Sequence, residues 1–161
     1  MWFDKLKSKL PTQEVIQNHK LLRFMKKYLD RTEIWLFTQG SVARAALIGL
    51  FWAMIPMPFQ MVPAAIFAVL LRANIIIAVA GVWVSNPFTM VPLLYASYRI
   101  GCILLNLPVN FEISQLSMDH LFSNIHLFLA PIYLGSVIVG ILAGTAGFLL
   151  SWLIFSFKPV N

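Results

Sequence analysis

The chain has 161 residues, of which 60% are hydrophobic and 11% are charged, with a mean hydropathy of +0.81. Three charge-free runs, at 45–71, 73–98 and 127–157, each exceed the ~20 residues that a helix needs to cross a bilayer. This composition excludes an ordinary soluble domain and predicts an all-α integral membrane protein. The single cysteine, Cys102, excludes an intrachain disulfide.

Residues 1–40 are predicted to form an amphipathic helical arm. Eight of the 12 Lys and Arg residues lie before Gly40, and apolar residues recur among them at helical spacing. The positive-inside rule places this N-terminus in the cytoplasm. Membrane lipids, and anionic lipids above all, are the expected partners rather than nucleic acid, because no base-reading module accompanies the basic residues. The arm either lies along the membrane or packs on the protein's own cytoplasmic face. No signal peptide is expected, since no short apolar segment with a cleavage site precedes the first long apolar run.

The predicted membrane domain, residues 41–157, contains a phrase that occurs twice. The hexapeptide PFQMVP at 58–63 (the first proline phrase) recurs with one substitution as PFTMVP at 87–92 (the second proline phrase). Broken helices at membrane depth are tolerated only where they are buried or line a cavity, so the two phrases point to a binding site. Proline removes a backbone donor and clashes with the preceding turn. Four prolines are therefore predicted to break helices: Pro58, Pro63, Pro87 and Pro92.

The phrases divide this region into two repeats, about 41–72 and 73–105. Each phrase is either the tip of a re-entrant hairpin or the unwound middle of a spanning helix, and in the second case the copies form an inverted repeat. The polar turn 72–74, placed in the cytoplasm, makes the first half a re-entrant hairpin and the second half a broken spanning helix. The segment 106–126 carries two acids and no Lys or Arg, so it is predicted to be extramembrane and outside the cytoplasm.

The last segment, 127–157, is predicted to be a glycine-rich membrane helix. Ser136, Gly140 and Gly144 recur every four residues, which lets another helix approach closely. The expected partner of this face is the repeat region of the same chain. A homo-oligomer through Gly140 and Gly144 is the alternative.

Arg44, Arg72 and Arg99 are the only Lys or Arg residues between positions 41 and 157. A charge at the centre of a membrane helix costs at least ~2.5 kcal/mol, and less where the side chain snorkels to the interface. Arg99 is expected to be the most buried of the three, and Arg72 is expected to lie in a turn. Snorkelling is the alternative for each.

The proline phrases also predict two helix starts that could form an anion site. Asn86 is a natural N-cap with Pro87 at the first helical position, and Met57-Pro58 would begin the equivalent turn. Helix N-termini and an arginine fork favour an anion such as phosphate. Gln60 and Thr89 occupy the same place in each phrase and could donate to that anion, or else bond between helices. The predicted binding residues are Arg99, Arg72, Gln60, Asn74, Asn86 and Thr89.

Enzyme and metal motifs are absent from the sequence. It has no phosphate-binding loop, paired-cysteine zinc site, HExxH or nucleophile elbow. His120 and His126 lie six positions apart, and Asp119 beside them does not complete a metal site. We therefore predict no catalytic activity, no metal and no cofactor.

Several spaced motifs resemble a known family. They are Pro58-x-Gln60-Met61, Arg72-x-Asn74, Trp83-x-x-Asn86-Pro87-x-Thr89-x-x-Pro92 and Tyr98-x-x-Gly101. From about Leu29 to Phe155, the chain resembles the bacterial membrane proteins grouped as domain of unknown function 2062. The resemblance implies a small bacterial inner-membrane protein, of a family sometimes joined to glycosyltransferase-type domains, and implies no activity. The arrangement of hairpins and arginines is also similar to polyprenyl-phosphate translocases, which is an architectural analogy only.

These features favour membrane transport or flipping of an anionic amphiphile, such as a polyprenyl phosphate or another lipid phosphate of the envelope. The alternative is a non-catalytic membrane scaffold for envelope glycosyltransferases. A polar cavity between the two proline phrases would favour transport, and a dry apolar contact would favour the scaffold.

Overall fold

The computed structural model describes residues 32–107 and 125–156, and all regular structure in these two ranges is helical. The predicted all-α class is therefore confirmed for the described residues. Short 3-10 helices at Thr32–Trp35 and Val82–Val84 accompany five α-helices, which are α1 (Gln39–Met54), α2 (Met61–Leu70), α3 (Ile75–Gly81), α4 (Pro87–Leu104) and α5 (Ile125–Ser156). The described ranges exclude all but the last residues of the predicted amphipathic arm. They also exclude most of the predicted extramembrane segment, including His120.

Helix α1 packs along the second half of α5, and the two helices run in opposite directions. Near the start of α1, the Gln39 side chain donates from Nε2 to the carbonyl oxygen of Trp152 at 2.9 Å. A Cβ added at Gly144 would lie 2.8 Å from the carbonyl oxygen of Leu47, and one at Gly140 would lie 3.0 Å from the Phe51 ring. The glycine row of α5 therefore faces α1 of the same chain.

Helix α2 returns the chain to the beginning of α1. It ends in a Schellman turn, in which the backbone N–H of Ala73 bonds to the carbonyl of Ala68 and Arg72 adopts a φ of 50°. The next backbone N–H, from Asn74, donates to the carbonyl of Ser41 in the first turn of α1 at 3.2 Å. Alanines at the contacts between these helices are fully buried, so the backbones approach closely: Ala64, Ala65, Ala68, Ala73 and Ala78.

Helix α4 leads in the other direction. The helical segment 75–84 and α4 meet at a bend of 78°. The far half of α4 packs against the first half of α5, where Gly101 lies against the carbonyl of Pro131 and Gly135 lies against the carbonyl of Ser97. Helices α2 and α4 therefore run from the two proline phrases toward opposite ends of α5.

One helix in the described ranges is long and apolar enough to cross a membrane. It is the segment Phe128–Ser156 of α5, with a mean hydropathy of 2.2 over a window of which 17% is buried in the protein. The bent pair Ile75–Val84 and Pro87–Leu104 passes the same test when its two parts are taken as one span. Most residues of this window are therefore apolar and at least partly exposed, as a membrane-spanning helix requires.

Candidate functional site

The two proline phrases, far apart in sequence, form the walls of one open cleft of about 530 Å³. Most of its lining is apolar, and it includes side chains from both sides, such as Met57, Met61 and Met90. Three polar residues also line the cleft: Gln60, Ser85 and Asn86. The cleft therefore combines a wide apolar surface with a short polar edge.

The Gln60 side chain links the two walls. Its Nε2 donates to the carbonyl of Ile55 at 2.6 Å, and its Oε1 accepts from the Ser85 hydroxyl at 3.0 Å. One amide thus ties the end of α1 to the bend between α3 and α4. The sequence analysis did not predict that Ser85 lines the cleft. Its position as a polar residue directly before the cap of α4, in an otherwise apolar run, could have indicated this.

The second proline phrase begins α4 with a capping box. The Asn86 side chain accepts from the backbone N–H groups of Phe88 and Thr89 at 2.9 and 3.1 Å, and the Thr89 hydroxyl accepts from the Asn86 backbone N–H at 2.9 Å. The predicted helix start at Asn86 and Pro87 is confirmed. Since these first-turn donors are bonded within the protein, an anion would have to displace the cap to reach them.

The first proline phrase has a different backbone. Helix α2 begins at Met61, its N-cap Gln60 makes no side-chain capping bond, and Phe59 adopts a φ of 61°. The prediction of an equivalent turn starting at Met57-Pro58 is therefore wrong. Met57 stands where Asn86 stands in the second phrase, and a thioether is too weak an acceptor to cap a helix.

The four prolines occupy four different situations. Pro58 lies in the loop between α1 and α2, and Pro63 lies in the first turn of α2, where no intrahelical donor is needed. Pro87 is the first residue of α4, and Pro92 lies inside α4, which continues through it to Leu104. Next to the two proline phrases, the helices are therefore interrupted at 55–60 and 85–86, and Pro92 does not interrupt a helix.

Neither Arg72 nor Arg99 lines the cleft. Arg72 is exposed in the turn after α2, about 16 Å from the cleft by helix rise. Arg99 is exposed on α4, about 18 Å beyond Pro87, with its Nη1 3.2 Å from the Tyr95 hydroxyl. The expected burial of Arg99 is therefore wrong, because the face of α4 that packs on α5 is the one that carries Ser97 and Gly101.

Asn74 is fully buried and holds local structure together. Its Oδ1 accepts from the backbone N–H of Ile77 at 3.0 Å and caps α3. Its Nδ2 donates to the carbonyls of Trp35 and Leu36 at 3.4 and 3.1 Å. Asn74 and Thr89 lie outside the cleft lining, so of the six predicted binding residues only Gln60 and Asn86 reach it.

In the described residues, the fold is all-helical, residues of the two proline phrases line one cleft, and the long helix α5 carries an exposed apolar surface. The chain belongs to the bacterial family described as uncharacterized protein conserved in bacteria (DUF2062), whose model matches residues 22–159. The family predicted from the sequence is thus confirmed. No curated protein and no solved structure matches the chain.

Proposed function

We propose that this protein is a multi-pass protein of the bacterial inner membrane that binds an anionic amphiphile and moves it across the bilayer. The observation that carries the proposal is the cleft between the proline phrases. Its apolar walls suit a hydrocarbon chain, and its polar edge of Gln60, Ser85 and Asn86 suits hydrogen-bonding groups next to a lipid headgroup. An amphiphile carries both chemistries in one molecule.

The directions of the helices support a transport path. Both ends of the α1–α2 hairpin lie near the end of α5, as the contacts of Gln39 with Trp152 and of Arg44 with Arg72 require. Helix α4 runs toward the beginning of α5. In the proposed topology, the first half is a re-entrant hairpin and the second half is a bent span. The basic N-terminal sequence favours a cytoplasmic location for the open end of the hairpin.

The charged headgroup is proposed to use the arginines in turn rather than together. In the proposed topology, Arg72 lies in the turn after α2 on the cytoplasmic side of the cleft, and Arg99 lies on α4 on the other side. Among the residues that the structure describes, no Lys or Arg lines the cleft itself. A lipid phosphate that leaves Arg72 therefore passes the Gln60–Ser85 bridge before it reaches Arg99.

The proposal is tested with a matched pair of tryptophan variants in proteoliposomes. Met90 lines the cleft, whereas the neighbouring Val91 does not, and both side chains are about half exposed. The flipping of a fluorescent lipid phosphate, followed by dithionite quenching, should fall about tenfold in Met90→Trp, which narrows the cleft, and stay near wild type in Val91→Trp. Equal rates in the two variants, or no flipping by the wild type, would refute the proposal.

A further inference from the structure

Arg44 differs from the other two arginines because part of its guanidinium is buried. It lies in the second turn of α1 and reaches the turn after α2, where its Nη2 donates to the carbonyl of Arg72 at 2.9 Å. Its Nε is buried and, within 32–107 and 125–156, has no hydrogen-bond partner. A guanidinium carries five N–H donors, so this contact leaves most of its bonding capacity for another acceptor.

A second unsatisfied group lies one turn earlier on the same face of α1. Ser41 is 2% exposed, and its hydroxyl is buried without a partner in the described part of the chain. Residues three apart on a helix are neighbours, so Ser41 and Arg44 occupy adjacent positions on one face of α1. Buried polar groups are nearly always hydrogen-bonded, and two adjacent exceptions therefore point to an acceptor.

The charges indicate that this acceptor is an anion. The sequence contains no Asp or Glu between Glu33 and Glu112. Arg44 is partly buried, and pairing with an anion stabilises a partly buried cation. A phosphate oxyanion can accept from a guanidinium fork and a hydroxyl at the same time. The exposed side chain of Arg72 leaves the same turn and adds positive charge there.

We propose that Arg44 and Ser41 bind a phosphate oxyanion at the start of α1, at a site separate from the cleft. The oxyanion is either the headgroup of an anionic lipid or free phosphate. The chemistry of the site rests on its own unsatisfied donors, whereas its position at the cytoplasmic headgroup level rests on the function proposed above.

The test compares two lipids that differ only in the phosphate. Detergent-purified full-length protein is titrated with dioctanoyl phosphatidic acid and with dioctanoylglycerol, and binding is followed by native mass spectrometry. The wild type should prefer phosphatidic acid by about tenfold or more, since charge-assisted bonds are roughly twice as strong as neutral ones. Arg44→Gln should abolish the preference, Arg44→Lys should restore part of it, and Ser41→Ala should reduce it about threefold.

One control separates this site from the cleft. Met90→Trp, which narrows the cleft, should keep the phosphate preference even where it stops lipid flipping. The two proposals can therefore fail independently.

Inorganic phosphate added as a competitor identifies the source of the oxyanion. Competition at millimolar phosphate assigns the site to the free anion, and no competition assigns it to the lipid headgroup; both results support the site when Arg44→Gln removes the preference. If Arg44→Gln does not fold, Ser41→Ala decides the matter. Equal binding of both lipids by the wild type, or an unchanged preference in Ser41→Ala and in any folded Arg44→Gln, overturns the proposal.

Discussion

The contact between α1 and α5 makes a sharp prediction for two glycines that are three residues apart. A Cβ at Gly144 would lie 2.8 Å from the backbone carbonyl of Leu47, whereas a Cβ at Gly147 would meet the far end of the Leu50 side chain. A side chain can rotate away, but a helix backbone can only move as a whole. Gly144→Ala should therefore give a less stable protein than Gly147→Ala.

The size of the difference follows from the geometry. Ordinary contact begins near 3.4 Å, so Gly144→Ala must push α1 and α5 apart by about 0.6 Å. Such overpacking costs about 1–3 kcal/mol. The gain in helix propensity from Gly to Ala, about 1 kcal/mol, is shared by both variants and cancels in the comparison. Gly144→Ala should therefore be about 1–3 kcal/mol less stable than Gly147→Ala.

Thermal unfolding in detergent, followed by tryptophan fluorescence, measures this difference. At about 2–4 °C per kcal/mol for a chain of this size, the midpoint of Gly144→Ala should lie about 2–12 °C below that of Gly147→Ala. A Gly144→Ala midpoint equal to or above that of Gly147→Ala would show that α1 and α5 do not pack through this glycine row.

Two further predictions concern the helix caps. Asn86→Ala removes the acceptor of the capping box and should cost about 1 kcal/mol, whereas Asn86→Ser, which keeps an acceptor, should stay within a few tenths. Asn74→Ala should cost about 2–3 kcal/mol, because it removes the cap of α3 and also leaves the carbonyls of Trp35 and Leu36 without their buried donor. Both are measured by chemical or thermal unfolding, and an Asn74→Ala variant that is no less stable than Asn86→Ala would contradict the assignment of Asn74.

Features that depend on a few adjacent residues were predictable from the sequence. The start of α4 is one of them, because Asn86, Pro87 and Thr89 satisfy the first turn by themselves. The turn around Arg72 is another, because it is polar and separates two apolar runs. In both cases the interactions that fix the conformation join residues close together in the sequence, so the local sequence is sufficient to predict it.

Features that depend on the packing of distant segments were not predictable. The hydrogen bond between Ser85 and Gln60 joins residues from different helices, and only the tertiary arrangement brings them together. The exposure of Arg99 depends on which face of α4 meets α5. The prediction for the backbone of the first proline phrase was wrong for a third reason. The two phrases are similar, but the residue before each one, Met57 or Asn86, decides whether a helix cap can form.

The Gln39 side-chain amide donates a hydrogen bond to the Ser156 hydroxyl at 2.7 Å. It brings the start of α1 and the end of α5 side by side, so a short linker could join them without disturbing the helices between. New termini could then be opened in the exposed turn after α2, whose Schellman geometry is local. The arrangement of the helices is therefore compatible with circular permutation, and polypeptides fused before α1 and after α5 would emerge next to each other.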